Sequence, residues 1–349
     1  MKWKFFAIGL LVVVGSVAIF SSGCGVKPRT LGSNNKVLVL ADSTLWVQIE
    51  QDVRNAVERE VFTPQPEKIF SVVLREPGKF GDLKRFPHLL FIGTLDATGP
   101  SKEILDNMLG PNARRKVEQD SSFIFRRENA WSKGQLLVVI VSKDLETLKK
   151  HLEKDKDLIF NLFDQHAMDI VTQQMYRIAE QKDIEKKLME EHGWSVRVQH
   201  DFFIAIDSSE ARFVWLRRMG PQREFFVYWE PVQDPSILSK EWMMQKRDSL
   251  TKIYYDGDYI FEDSIIQTKE KVVDFNGRYA IRLDGVWQND KNIAGGPFRT
   301  FGFYNKGDGR MYLVDCAIVA PGERKWPYMR QVEAMAYTFK TADELNSKR

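Results

Sequence analysis

Between Asp157 and Glu191 the chain carries neither proline nor glycine. A stretch of this length without a breaker predicts one continuous helix, and Gly193 supplies its stop. That helix divides the chain. Residues 36–155 form an N-terminal half, 156–193 the connecting helix, and 194–349 a C-terminal half. In the first part of the helix Ile159, Leu162, Phe163, Ala167 and Ile170 recur at helical spacing and predict a buried stripe. The second part, EQKDIEKKLMEE, is nearly all charged. Ile178, Ile184 and Leu188 are too few for a coiled-coil seam, so this part reads as a connector with a solvated end, with Asp183 and Lys187 paired four residues apart.

The first half alternates strand and helix. Strands are predicted at 37–40, 69–74, 88–95, 122–126 and 136–141. Helices are predicted at 44–62 after Asp42 or Ser43, at 101–109 before Gly110-Pro111, and at 142–154 after Ser142. This order suits a ferredoxin-like or related α+β sandwich. The second half is mainly strand-like, at 196–198, 202–206, 212–216, 224–229, 265–273, 279–287, 300–304 and 311–319. A helix is expected at 236–250, and residues 305–309 read as a hairpin loop. A last helix starts near Pro327, with Met329, Val332, Met335 and Phe339 facing inward. The expected class is α+β: two mixed or antiparallel sheet halves with flanking helices, joined by a long central helix.

The N-terminus reads as an address. A basic start with Lys2 and Lys4, an apolar run over 5–20 and small residues before Cys24 describe a secretory signal peptide over 1–23. The run falls short of the ~20 residues that a spanning helix needs. Ser21-Ser22-Gly23-Cys24 resembles the lipobox of bacterial lipoproteins, although Ser21 stands where an aliphatic residue is usual. That resemblance implies acylation at Cys24, with palmitate among the chains, and a membrane anchor. Gly25 in place of Asp resembles the outer-membrane sorting pattern, so the expected location is the outer membrane, facing the periplasm. Residues 24–35 then hold the lipidated Cys24 and a flexible tether spanning roughly 20 Å.

Charge and motifs exclude other classes. Lys and Arg number 51 against 48 Asp and Glu, a net charge of +3; loss of Lys2 and Lys4 with the leader reduces it further. This leaves no nucleic-acid footprint. No nucleophile elbow, phosphate loop or zincin helix is present. The reading therefore has no cofactor, no metal site and no assigned catalytic residue. His166 and Asp169 share a helix face but lack a local third ligand. Cys316 lies in a β run without a neighbouring His and reads as core. Asp256-Gly257-Asp258 and Asp308-Gly309 read as turns.

Two segments stand out as a candidate binding surface. In a strand Phe213, Trp215 and Arg217 share a face, and Arg beside Trp can hold an anion, unless the Arg217 guanidinium pairs internally with Asp248. Further on, the strand ending in Asp284 and Trp287 is followed by Gly295, Gly296, Pro297, Phe298 and Arg299. A loop with two adjacent glycines either contacts a ligand or turns a corner beneath Phe298. Arg247, in Arg247-Asp248-Ser249, completes the set. FVWLR at 213–217, RDS at 247–249, Gly-Gly-Pro-Phe at 295–298 and the run from Lys325 through Tyr328-Met329-Arg330-Gln331-Val332-Glu333-Ala334 resemble a Bacteroidota lipoprotein family, domain of unknown function 4837. Ala294 stands where that family commonly has Met. The resemblance covers nearly the whole mature chain, is clearest after residue 200, and implies an envelope lipoprotein with no established activity, cofactor or catalytic residue. The expected function is a lipid-anchored binding or assembly module with an envelope protein or glycan as partner. The alternative is an envelope-polymer hydrolase or transferase using Asp284 and Glu230 with Arg217.

Overall fold

The computed structural model describes residues 27–346. The segment expected to be a signal peptide, Cys24 and the start of the expected tether lie outside the described residues. The fold is α+β, and the chain separates into two units: residues up to Arg59 together with Lys68–Ala167, and Glu60–Glu67 together with the chain from Met168 on.

In the first unit the order is β1 (Lys36–Leu40), α1 (Ser43–Val57), then β2 (Glu60–Phe62) and β3 (Pro66–Lys68), a hairpin grouped with the second unit. It continues with β4 (Ser71–Arg75), α2 (Phe80–Leu83), β5 (His88–Thr94), α3 (Pro100–Met108), α4 (Pro111–Glu118), β6 (Ile124–Glu128), β7 (Leu136–Ser142) and α5 (Leu145–Lys154). The five-stranded sheet runs β4-β1-β5-β7-β6. Its first four strands are parallel, and only β6 is antiparallel. The expected ferredoxin-like arrangement is therefore replaced by a parallel sheet with helix crossovers. The cause lies in the strands: β5 and β7 are buried at every position, as continuous apolar strands covered on both faces are. Leu38, Leu89, Phe91 and Val139 pack against Leu105, Met108 and Val117 of α3 and α4. Val37, Val39, Leu90 and Ile140, on the other face, are also fully buried. Helix α1 stops at Val57, short of 62, because Glu60–Phe62 pairs as a strand.

The expected helix over 157–191 is two helices, α6 (Lys156–Met175) and α7 (Lys182–His192). Residues 176–181 bond elsewhere. The Tyr176 hydroxyl donates to the Arg197 carbonyl at 3.0 Å, the Gln181 N–H donates to the Val198 carbonyl at 2.9 Å, and Arg197 grips Glu180 with two N–H groups at 2.5 and 3.1 Å. Ala179, at φ 52, turns the backbone out of the helix. Gly193 ends α7 at φ 77, as expected.

The second unit continues with β8 (Trp194–Ser195), β9 (Phe203–Ser208), β10 (Phe213–Arg218), β11 (Gln222–Pro231), α8 (Lys240–Tyr254), β12 (Tyr259–Phe261), β13 (Lys269–Phe275), β14 (Arg278–Asn289), β15 (Ala294–Asn305), β16 (Arg310–Val319), α9 (Trp326–Ala336), β17 (Lys340–Thr341) and α10 (Ala342–Asn346). An antiparallel sheet runs β12-β14-β15-β16-β11-β10-β9, and β13 also pairs with β14. Met243 and Leu250 of α8 pack on one face with Phe226, Leu283, Leu313 and Ala317. On the opposite face α9 lies against β11, β15 and β16, and the Cys316 thiol donates to the Val332 carbonyl at 3.4 Å. Cys316 is fully buried, and burial pushes its thiol well up, as befits a core side chain.

Gly-Gly-Pro-Phe is not a loop. It lies inside β15, with Gly296 opposite Trp287 and Pro297 opposite Val286. The turn comes earlier, where the Asn289 side-chain oxygen accepts the N–H groups of Lys291 and Asn292 and Ile293 adopts φ 48. Gly296 is required by close approach: a Cβ there would stand 2.0 Å from the Ile318 carbonyl oxygen.

Candidate functional sites

The short turn between β10 and β11 sets a register that places Arg217 opposite Glu224 and Trp215 opposite Phe226. These strands, the end of α8 and the start of the β14–β15 turn enclose a cavity of about 340 Å³. The Glu224 carboxyl is almost fully buried there. It accepts the Trp215 indole N–H at 2.5 Å and an N–H of Gln222, and the Arg217 Nε lies 3.3 Å away. Burial raises its pKa to about 7; the Arg217 charge opposes this only in part. Asp258 lines the same cavity. It accepts an amide N–H of Asn289 at 2.6 Å, and burial outweighs that bond and raises it too. Tyr255 packs against Trp215, with ring centroids 4.3 Å apart and the ring planes tilted by 33°. The Tyr255 hydroxyl and the Trp287 indole N–H are both buried and meet no protein partner. The cavity thus offers two carboxyl groups, two unsatisfied donors and aromatic surface, a set that suits a ligand rich in hydroxyl or amide groups.

A second cavity, about 320 Å³, lies around Asp284. Asp284 and Arg299 are paired across β14 and β15, at 2.5 Å. Arg299 also binds Glu333 of α9 at 2.5 Å, and Arg282 binds Asp284 at 2.8 Å. Burial would raise Asp284, but Arg299 and Arg282 more than offset it and hold it below the ordinary value. Arg299 is likewise opposed by burial, yet Glu333 and Asp284 keep it charged. This is a closed ionic network, not an acid–base pair.

The residues singled out by sequence therefore separate. Trp215, Arg217 and Trp287 line the Glu224 cavity; Asp284, Pro297, Phe298 and Arg299 line the other. Arg247 belongs to the core: its guanidinium binds Asp315 at 2.9 Å and lies 4.0 Å from the Phe298 ring centre. Gly295 and Gly296 are strand positions. Arg217 pairs with Glu224 and not with Asp248, which instead accepts the Ile260 N–H. Asp284 and Glu230 do not form a pair. Glu230 bonds Tyr228 and Lys246 on the α8 face, whereas Asp284 joins Arg299 and Glu333 on the α9 face. Sequence reasoning missed Glu224, Tyr255, Asp258 and Asn289. The signal for Glu224 was present as a carboxylate within an apolar run, one hairpin turn from Arg217.

Two further places carry polar clusters. In the first unit a cavity of about 780 Å³ opens at the carboxyl ends of β1, β4 and β5, and Asp42 there accepts the Ser101 N–H at 3.1 Å. In the second, Glu191, His192 and Asp207 place ligand atoms within 4.8 Å of one another. The Lys187 ammonium already occupies the centre of that charge, 2.9 Å from Asp207 and 3.7 Å from Glu191. His166 stands apart from both, its ring nitrogen 3.0 Å from that of His88.

Residues 181–338 match the family model described as a domain of unknown function (DUF4837), and residues 30–176 match a second domain of unknown function (DUF8532). No curated protein matches the sequence. Among solved structures, the Ran-binding protein Mog1p of Saccharomyces cerevisiae is 11% identical, with 44% of this chain and 92% of that one covered and a TM-score of 0.30. LpqN of Mycobacterium tuberculosis, involved in cell envelope biogenesis, is 11% identical over 42% of this chain and 82% of that one, also at 0.30. A protein of Bacteroides thetaiotaomicron is 7% identical over 43% and 45%, at 0.27. Scores this low carry no argument. Among the described residues no helix is long and apolar enough to cross a membrane.

Proposed function

We propose that the chain is a lipid-anchored lipoprotein of the outer membrane, facing the periplasm, that binds a glycan-type ligand in the Glu224 cavity. The address rests on the signal pattern over 1–23, the lipobox-like run ending at Cys24, and the resemblance to a Bacteroidota lipoprotein family. Palmitate should label the wild type and not Cys24→Ala; equal labelling would refute the anchor.

The binding reading rests on one observation: Glu224, Asp258, the Tyr255 hydroxyl and the Trp287 N–H line a single cavity with aromatic walls. A sugar presents hydroxyl acceptors to the two donors, hydroxyl donors to the carboxyls, and a C–H face to the rings. A disaccharide of N-acetylglucosamine is the first probe, titrated by calorimetry. Tyr255→Phe and Asp258→Asn should each weaken its binding at least fivefold. Binding unchanged in both variants would sink the reading. Turnover of an envelope polymer, abolished by Glu224→Gln, would replace binding by catalysis.

A further inference from the structure

The Asp284 cavity has a chemistry unlike that of the Glu224 cavity. Its walls include Phe62 of the β2–β3 hairpin, Ile265 and Ile266 of the loop before β13, Phe298 of the sheet, and Trp326 and Met329 of α9. Phe62 is 40% exposed and Ile265 85% exposed, so apolar surface continues from the cavity out to its mouth. Both lips are held in place. The Glu67 carboxylate ties the hairpin to the start of α9, accepting the Lys325 and Trp326 N–H groups. Asp263 accepts the N–H groups of Ile265 and Ile266, and Glu262 accepts that of Thr268. Ile265 is thus presented to solvent by a well-bonded loop.

The polar part of the wall is built around an ionic network. Asp284 is bonded by Arg299 and Arg282, and Glu333 by Arg299. Two buried donors meet no acceptor: the Trp326 indole N–H, on a residue only 6% exposed, and the Arg282 Nε–H. Buried donors of this kind are costly unless something accepts from them. Outside that network the lining carries one cation, Lys269, and one carboxylate, Glu60 of the hairpin, so the two unpartnered donors set its preference. These two donors lie in a lining that also carries the apolar side chains of Phe62, Ile265 and Phe298.

We propose that this cavity binds the acyl chain of an anionic amphiphile, its head oxygens accepting from Trp326 and Arg282 and its tail lying along Phe298, Phe62 and Ile265. The proposal is independent of the Glu224 cavity. The shared chemistry, an acyl chain ending in acceptor oxygens, belongs both to a free fatty acid and to a membrane lipid.

The test uses the full chain carrying Cys24→Ala, so that no lipid attached at Cys24 competes. Decanoate, kept below its micelle concentration, is titrated by calorimetry beside octanoate and decyltrimethylammonium. Decanoate should bind roughly tenfold or more tighter than octanoate, as about 0.8 kcal/mol per methylene requires, and decyltrimethylammonium at least tenfold weaker than decanoate. Trp326→Phe keeps a ring and removes the donor; it should cost about tenfold for decanoate. Ile265→Ser, at an exposed position that leaves folding intact, should cost several-fold. Equal binding of the two head groups, or decanoate binding unchanged by Ile265→Ser, would overturn the proposal. Cosedimentation with phosphatidylglycerol vesicles that Ile265→Ser abolishes assigns the site to membrane lipid; decanoate binding without cosedimentation assigns it to a free acid.

Discussion

Glu67 caps the helix that begins at Trp326. One carboxylate oxygen accepts the Trp326 N–H at 3.2 Å, the other accepts the Lys325 N–H at 2.7 Å, and the Thr63 hydroxyl bonds the same group at 2.5 Å. Helix α9 has no capping side chain of its own, so a residue 259 positions away in sequence supplies it. Glu67→Ala should lower unfolding stability by about 1–2 kcal/mol, read from urea midpoints, and Glu67→Gln by less. A change within error for Glu67→Ala would remove the cap from consideration.

Glu224 gives stability a pH dependence of defined sign. Its folded pKa is about 7 against an ordinary 4.5. The stabilisation is complete below pH 4.5, where both states hold the proton. It falls as pH rises from 4.5 to 7, because the unfolded chain releases the proton first, and the loss amounts to about 3 kcal/mol. Wild type should therefore lose stability relative to Glu224→Gln over that window, in urea midpoints measured at several pH values. Parallel curves would refute the assignment; the other carboxyls, common to both proteins, cancel.

The Arg247–Asp315 pair is fully buried, with Thr300 donating to the same carboxylate. Arg247→Met leaves a buried carboxylate without its cation and should cost about 3–5 kcal/mol. Adding Asp315→Leu should recover most of that loss, because the uncompensated charge goes with it. A double variant less stable than the single one would contradict this.

Glycine is needed at some positions and free at others. Gly296→Ala sets a Cβ against the Ile318 carbonyl, a backbone atom in the adjacent strand, and should cost about 3 kcal/mol or more. Gly78→Ala meets nothing within 4 Å and should stay within about 0.5 kcal/mol. Thermal melts of the pair separate the two cases.

Local pattern located most elements because burial imposes its period on the sequence. The apolar runs at β1, β5 and β7, the stripe of α9 and the hairpin at 305–309 all lie where periodicity and turn residues put them. The mixed, mainly parallel first sheet falls within the expected mixed or antiparallel α+β class, but its strand order is not the ferredoxin-like one, and the unbroken apolar runs of β5 and β7 were the signal for that. What pattern could not show were pairings between distant segments. Arg299 finds Glu333, Asn289 finds Asp258, and Glu67 finds Trp326 only after the strands have been stacked. For the same reason Arg247 and Trp215, equal candidates in sequence, end in different surroundings, one sealed in an ion pair and the other on a cavity wall. Gly295 and Gly296 misled because the steric reason for glycine lies on other strands, in the Trp287 carbonyl for Gly295 and the Ile318 carbonyl for Gly296.

The placement of Glu60–Glu67 with the second unit has a consequence for synthesis. The hairpin leaves the ribosome long before the helix that it caps exists. The second unit cannot close until the last residues of α9 emerge, while the sheet of the first unit is complete once β7 has been made. A fragment starting at Met168 would be born without its cap and without one wall of the Asp284 cavity. No single cut divides this chain into its two units.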